Sequence, residues 1–221
     1  MTVRALVRIG AVTGVAWLLL CGSSATPAAA APLWLAVGAD AGLARYDSKL
    51  ADYQWDVNAH GAWGAEALAG LGPLALGARV AGNSTTQQLG IDGVPDPTVS
   101  ATRYGLVGRM RLVSLFGTDL ALSGNAGRQH LAYHPSEITL SPGGGAPPVT
   151  VDLKPVDSWI GGGGMALRRA LVGPWSLTAG VEHDWFAIDT AHNAGGTVVT
   201  GSQTFGMWDF HAGVSWLITS R

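Results

Sequence analysis

Along most of the chain after residue 30, apolar and polar positions alternate with a period of two. Trp208, Phe210, Ala212, Val214, Trp216 and Ile218 hold one parity, and Met207, Asp209, His211, Gly213 and Ser215 the other. Tyr104, Leu106, Gly108, Met110 and Leu112 likewise oppose Arg103, Gly105, Val107, Arg109 and Arg111. Trp175, Leu177, Ala179 and Val181 oppose Ser176, Thr178, Gly180 and Glu182. Successive side chains of a strand point to opposite faces, so this period predicts strands and not helices. Residues 33–43, 57–67, 74–80, 120–126 and 159–167 repeat the pattern less cleanly, which brings the expected strands to eight.

The connections alternate in length. Short turns are expected at Gly72-Pro73, Gly117-Thr118-Asp119 and Gly173-Pro174. Long polar links are expected at roughly residues 47–56, 83–100, 134–157 and 189–203. Three short turns at one end and four long loops at the other predict an all-β fold, an eight-stranded antiparallel up-and-down transmembrane β-barrel. An even strand count puts both ends of the barrel on the short-turn side. After residue 30 no stretch approaches the ~18 consecutive apolar residues of a transmembrane helix.

The two parities decide the class. A soluble barrel turns its apolar face inward, and a membrane barrel turns it outward. Here the aromatic residues Trp63, Tyr104, Trp159, Trp175, Trp185, Trp208 and Trp216 lie mainly on the apolar parity near strand ends, as interfacial girdles do. The polar parity is no lysine-rich solvent surface: it mixes small residues with complementary charges. Asp40, Glu66, Arg79, Arg103, Arg109, Arg168, Glu182, Asp209 and His211 are expected to form a lumen charge network, joined by Asp56, Arg111 and Asp184. Eight strands enclose room only for side chains, and buried charges are tolerated when paired. Lys49 and Lys154 fall in long links. Arg128 and Arg169 sit on the other parity and are expected near a strand end or a bulge.

Composition narrows the reading further. Charged residues make up 13% of the 221-residue chain, about half the usual ~25%. Net charge is −2, which gives no basic face for nucleic acid. Mean hydropathy of +0.25 argues against disorder. At the start, Arg4 and Arg8 precede the uncharged run Ile9–Leu20, followed by Ala28-Ala29-Ala30. Charged start, short apolar middle and small-residue end predict a secretory signal peptide over residues 1–30, leaving a single domain over 31–221. The only cysteine, Cys21, falls inside that segment, so the remainder can use neither a disulfide nor a thiolate metal site.

With these features the chain resembles the eight-stranded outer-membrane barrel family typified by the OmpA transmembrane domain and OmpX. The closing segment carries a second likeness. His211, Gly213, Trp216 and Ile218 are similar to the family's C-terminal assembly signal, polar-x-Gly-x-x-aromatic-x-apolar, although Thr219-Ser220-Arg221 follow. The resemblance implies residence in the bacterial outer membrane. It also implies contact with outer-membrane lipids and lipopolysaccharide, handling by the barrel-assembly machinery, and long extracellular loops as the working surface, for a partner the sequence does not identify.

Candidate chemistry is sparse. Asp209 and His211 share a face, as do Glu182 and Asp184, and such groups could serve as a general base; a structural network is the simpler account. A lipid A deacylase of the barrel type would need a His-x-Ser pair on a lipid-facing strand, and His134-Pro135-Ser136 opens a long loop instead. Gly161–Gly164 lacks the Gly-Lys-Ser/Thr of a phosphate loop and suits close backbone approach or bending. The histidines show no metal-ligand spacing, and neither metal nor cofactor is expected. The resulting reading is a small non-catalytic barrel of structural or surface-interaction type with a plugged polar lumen. The alternatives are a membrane-embedded lipid-modifying enzyme and a soluble lipocalin-like barrel with an apolar pocket.

Overall fold

The computed structural model describes residues 33–141, 147–194 and 197–219; the expected signal peptide lies outside the described residues. The strands are β1 (Leu33–Tyr46), β2 (Ala59–Leu71), β3 (Leu74–Thr86), β4 (Thr98–Leu115), β5 (Thr118–His134), β6 (Glu137–Leu140), β7 (Val149–Asp152), β8 (Val156–Ala170), β9 (Trp175–Ala194) and β10 (Thr197–Thr219). Eight of them close into an antiparallel barrel in the order β1-β10-β9-β8-β5-β4-β3-β2, and β6 and β7 form a separate small hairpin. β1 closes the cylinder by pairing on both sides, with β10 from Trp34↔Thr219 to Tyr46↔Met207 and with β2 from Leu33↔Leu71 to Arg45↔Ala59.

The outward face is the apolar parity. Leu76 and Leu106 are each 62% exposed and Trp159 is 68% exposed. Val37, Leu122, Met165, Leu177, Phe210 and Val214 are exposed beside them. In water such a continuous apolar band would be unusual for a monomer, whereas in lipid it is the required surface. The soluble, lipocalin-like alternative needed these residues inside, and the structure overturns it.

Three short connections join β2 to β3, β4 to β5 and β8 to β9. Each uses a glycine at positive φ: Gly72 at 60°, Gly117 at 75° and Gly173 at 69°. Side chains with a Cβ rarely adopt that region, which is why these positions punctuate the sequence so clearly.

The opposite end departs from expectation in three places. The strands run further than the alternation indicated, and the expected link over residues 189–203 is paired strand, with Asp189 opposite Ser202 and Thr190 opposite Gly201. The link over 134–157 holds the β6–β7 hairpin, and the one over 47–56 holds a short 3-10 turn, Ser48–Tyr53. Asp47 caps this turn by accepting from the Lys49 amide at 3.1 Å. The physical reason is common to all three. Alternation marks a strand only where its two faces meet different solvents, and beyond the membrane they no longer do so in the same sense.

Val181 lies on the outward face midway between Trp175 and Trp185 of β9. Val181→Arg is expected to destabilise the barrel in lipid vesicles by about 2–4 kcal/mol, and Ala187→Arg, beyond Trp185, by about 0–1 kcal/mol. Denaturant unfolding followed by tryptophan fluorescence measures both.

Candidate functional site

The lumen has three levels, each built by inward residues of neighbouring strands. The middle level is charged. Arg79 on β3 donates to both carboxylate oxygens of Asp40 on β1, at 2.7 and 2.9 Å. Arg109 on β4 donates to both oxygens of Glu66 on β2, at 2.7 Å each. Both contacts are the bidentate fork that the planar guanidinium favours. Arg103, also on β4, reaches across the barrel to the far wall. It donates to Asp209 on β10 at 2.7 Å and to Asp184 on β9 at 3.2 Å. Asn125 on β5 donates to Asp184 at 2.8 Å, and the His211 ring stands 3.4 Å from Asp209. Arg103, Glu182, Asp184, Asp209 and His211 are all buried.

β8 supports this level by contributing almost nothing to it. A Cβ on Gly162 would collide with Asp184, and one on Gly164 with the backbone of Val181 and Glu182. The glycine run therefore leaves room for two carboxylates on the adjacent strand. Gly161 and Gly163 face outward, where their missing side chains only flatten the surface.

The level nearest the long connections is apolar. Tyr46, Leu50, Trp55, Val99, Leu131, Phe186, Ile188, Phe205 and Met207 form one buried cluster. Tyr46 meets Trp55 and Phe186 edge-on at 6.0 and 6.1 Å, and Tyr53 meets Phe205 at 5.7 Å. Leu50 of the 3-10 turn belongs to this cluster and is fully buried; burying a leucine is worth roughly 1.5–3 kcal/mol. The lumen is thus not polar throughout, as expected, but carries an apolar stopper. A sign of it was present in the chain. On β9 the inward parity changes from Glu182 and Asp184 to Phe186 and Ile188, and the outward parity from Val181 to Asp189.

The level nearest the short turns holds Arg168. Its guanidinium stands 5.6 Å from the Trp34 ring. Of the residues expected in the charge network, Arg168 is in the lumen but makes no ion pair with a carboxylate among the described residues. Two further expected members differ. Asp56 lies in the β1–β2 connection, where it accepts from Asn58 at 2.7 Å and stands 3.5 Å from His60. Arg111, the last residue in register before the bulge that precedes Val113, stands at the short-turn end of the lumen, half-exposed and 3.9 Å from Asp119.

On the outer surface the aromatic residues form two groups. Trp175 and Trp216 meet edge-on at 4.6 Å near the short turns. Trp63, Tyr104, Trp159, Trp185 and Trp208 are exposed further along their strands towards the long connections. His183 lies between the rings of Trp185 and Trp208, 4.5 Å from each. Arg128 is outward in the body of β5, not at a strand end or bulge, with its guanidinium 4.1 Å over Trp159. β5 simply continues past this level to His134. Arg169 is the penultimate residue of β8.

In the closing strand the residues divide by face. His211 points into the lumen, Trp216 and Ile218 point outward, and Gly213 sits against Asp40, where a Cβ would come within 2.6 Å of its Cα. His134, Ser136 and Glu137 are exposed beside the β6–β7 hairpin. Among the described residues no group of three or more histidines, acids or cysteines is placed to hold a metal ion.

A closed cylinder with a charged interior and a lipid-like exterior defines a small transmembrane β-barrel. The solved structure of Neisserial surface protein A agrees on that fold: it is 14% identical with a TM-score of 0.55, over 82% of this chain and 96% of that one. Two looser matches accompany it. A major outer membrane protein of Thermus thermophilus is 12% identical with a TM-score of 0.47, over 84% and 99%. The Ail protein of Yersinia pestis is 12% identical with a TM-score of 0.40, over 85% and 99%. No family model and no curated protein sequence matches the chain.

Removing Arg103 would leave Asp184 and Asp209 buried without their cation. Arg103→Met is expected to cost about 3–5 kcal/mol. The triple variant with Asp184→Asn and Asp209→Asn should recover most of that loss. Chemical unfolding in detergent micelles checks both expectations.

Proposed function

We propose that the protein is a small non-catalytic barrel, integral to the bacterial outer membrane, that presents the long-connection end as a surface-interaction platform. The observation that carries this reading is the unbroken outward apolar band between Trp175/Trp216 and the second aromatic group, with strands that run on beyond it. Such a band matches the lipid-facing belt of a transmembrane barrel. Residues 1–30 act as the export signal, and His211, Gly213, Trp216 and Ile218 as the mark read by the assembly machinery. The lumen supports a structural role over a conducting one. Its charged middle is crossed by Arg103, and its upper level is filled by the aromatic stopper.

The lipid partners in this reading are phospholipid and lipopolysaccharide. Arg45 stands opposite Trp208 in register and is exposed, and Arg128 covers Trp159 at 4.1 Å. Cations at an aromatic girdle suit lipid phosphates. The platform itself is acidic and β-rich: Asp47, Asp52, Asp92, Asp96, Glu137 and Asp152 lie in or beside the long connections against Lys49 and Lys154. A lipid-modifying activity finds little support, because His134 at the end of β5 and Ser136 just after it are exposed beyond the outward band.

The full chain, expressed in a Gram-negative host, is expected in the outer-membrane fraction and should migrate differently on a detergent gel before and after boiling. Protease added to intact cells should cut within residues 135–155 and leave the barrel body protected. A soluble periplasmic protein without heat modifiability would overturn the proposal, and so would complete protection of that segment in intact cells.

A further inference from the structure

The short-turn end of the lumen contains a feature that a purely structural plug does not need. A cavity of about 100 Å³ lies there, bounded by Trp34, Leu68, Arg109, Ala166, Arg168 and Ser215. That is room for several water molecules or for a small organic molecule. Its walls are largely apolar, and its polar groups are donors in excess. Both terminal nitrogens of Arg109 are used by Glu66, but the buried Nε has no partner. The Ser215 hydroxyl also lacks a partner, in a residue only 6% exposed. Arg168 makes no carboxylate contact among the described residues and has the Trp34 ring as its neighbour. Around the cavity stand three guanidinium groups, those of Arg109, Arg111 and Arg168, and two carboxylates, those of Glu66 and Asp119. Glu66 is further shared with Arg79 at 3.5 Å.

Buried donors without acceptors cost free energy, and native structures normally satisfy them. Here one occupant with a negative charge at one end and an apolar body at the other would satisfy the buried Arg109 Nε–H and Ser215 hydroxyl and give the half-buried Arg168 guanidinium an anionic partner. The position of Trp34 is itself built. Its ring lies directly over Gly70, where any Cβ would collide with the indole, so a glycine on β2 is what allows the ring to form the cavity wall.

We propose that this cavity is a binding site for a small organic monocarboxylate. The carboxylate meets the Arg168 guanidinium, the Arg109 Nε–H and the Ser215 hydroxyl. The apolar body lies against Trp34, Leu68 and Ala166. Charge-assisted bonds to guanidinium groups are the stronger class of hydrogen bond, and they are stronger still away from bulk water. The site is independent of whatever the long connections bind.

The test is calorimetric titration of the refolded full barrel, in a non-ionic detergent, with benzoate, benzyl alcohol and inorganic phosphate. The expected result is saturable binding of benzoate at one site, with no saturation by benzyl alcohol. Arg168→Gln should weaken benzoate binding by about tenfold or more, and Ser215→Ala should weaken it severalfold. Each variant is first shown to be folded by its heat-modifiable migration. Should Arg168→Gln fail that check, Ser215→Ala decides the matter alone. Absence of saturable benzoate binding to the wild-type barrel overturns the proposal, and so does unchanged affinity in the folded variants. Equal or tighter binding of phosphate would show that the site takes charge alone and would overturn the monocarboxylate assignment.

Discussion

A strand in lipid cannot leave its backbone unpaired, because no water is present to satisfy an exposed N–H or C=O. The pairing of β1 with β10 answers that requirement and sets the rest of the structure. It closes eight strands on one another, and eight strands enclose little more than side chains. Charges in so narrow a space must find each other. Arg103 spans the barrel from β4 to β9 and β10, while Arg79 and Arg109 clasp carboxylates two strands away. The network is thus a consequence of closure as much as a contribution to it.

The second constraint is the change of solvent along each strand. Between the two aromatic groups the outward face meets lipid, so apolar residues lie outside and charges inside. Past Trp185 and Trp208 the outward face meets water, and the pattern turns over. Val99, Leu131, Phe186, Ile188 and Phe205 point inward, and Thr98, His130, Asp157, Asp189 and Ser202 are the outward residues at the same end. There the cylinder is built like a soluble barrel, with an apolar core into which the Ser48–Tyr53 turn inserts Leu50. One set of strands obeys two opposite burial rules, and the girdle marks where they meet.

The three lumen levels differ in chemistry. The apolar cluster occupies the long-connection end, and the charged middle joins opposite walls. At the lower level two buried groups without partners, the Arg109 Nε–H and the Ser215 hydroxyl, border open volume. Small residues distribute this space. Gly162 and Gly164 make room for Asp184 and Glu182 beside the middle level, and Gly70 admits the Trp34 ring below it.

The sequence alone determined the number of barrel strands, the short turns and which parity faces lipid. Alternation is a local property, and Gly72, Gly117 and Gly173 mark backbone that few other residues adopt. It also placed Asp40, Glu66, Arg79, Arg103, Arg109, Glu182 and Asp209 on one parity. Who pairs with whom was left to the tertiary structure, because strand order around the cylinder and the register between strands bring together residues 39 to 106 positions apart. The structure likewise decided that Arg168 faces Trp34 instead of a carboxylate, that Arg111 stands beside Asp119 at the short-turn end of the lumen, and that residues 189–203 are paired strand. Each of these depends on what surrounds a side chain in space, and a period of two reports only the direction in which the side chain points.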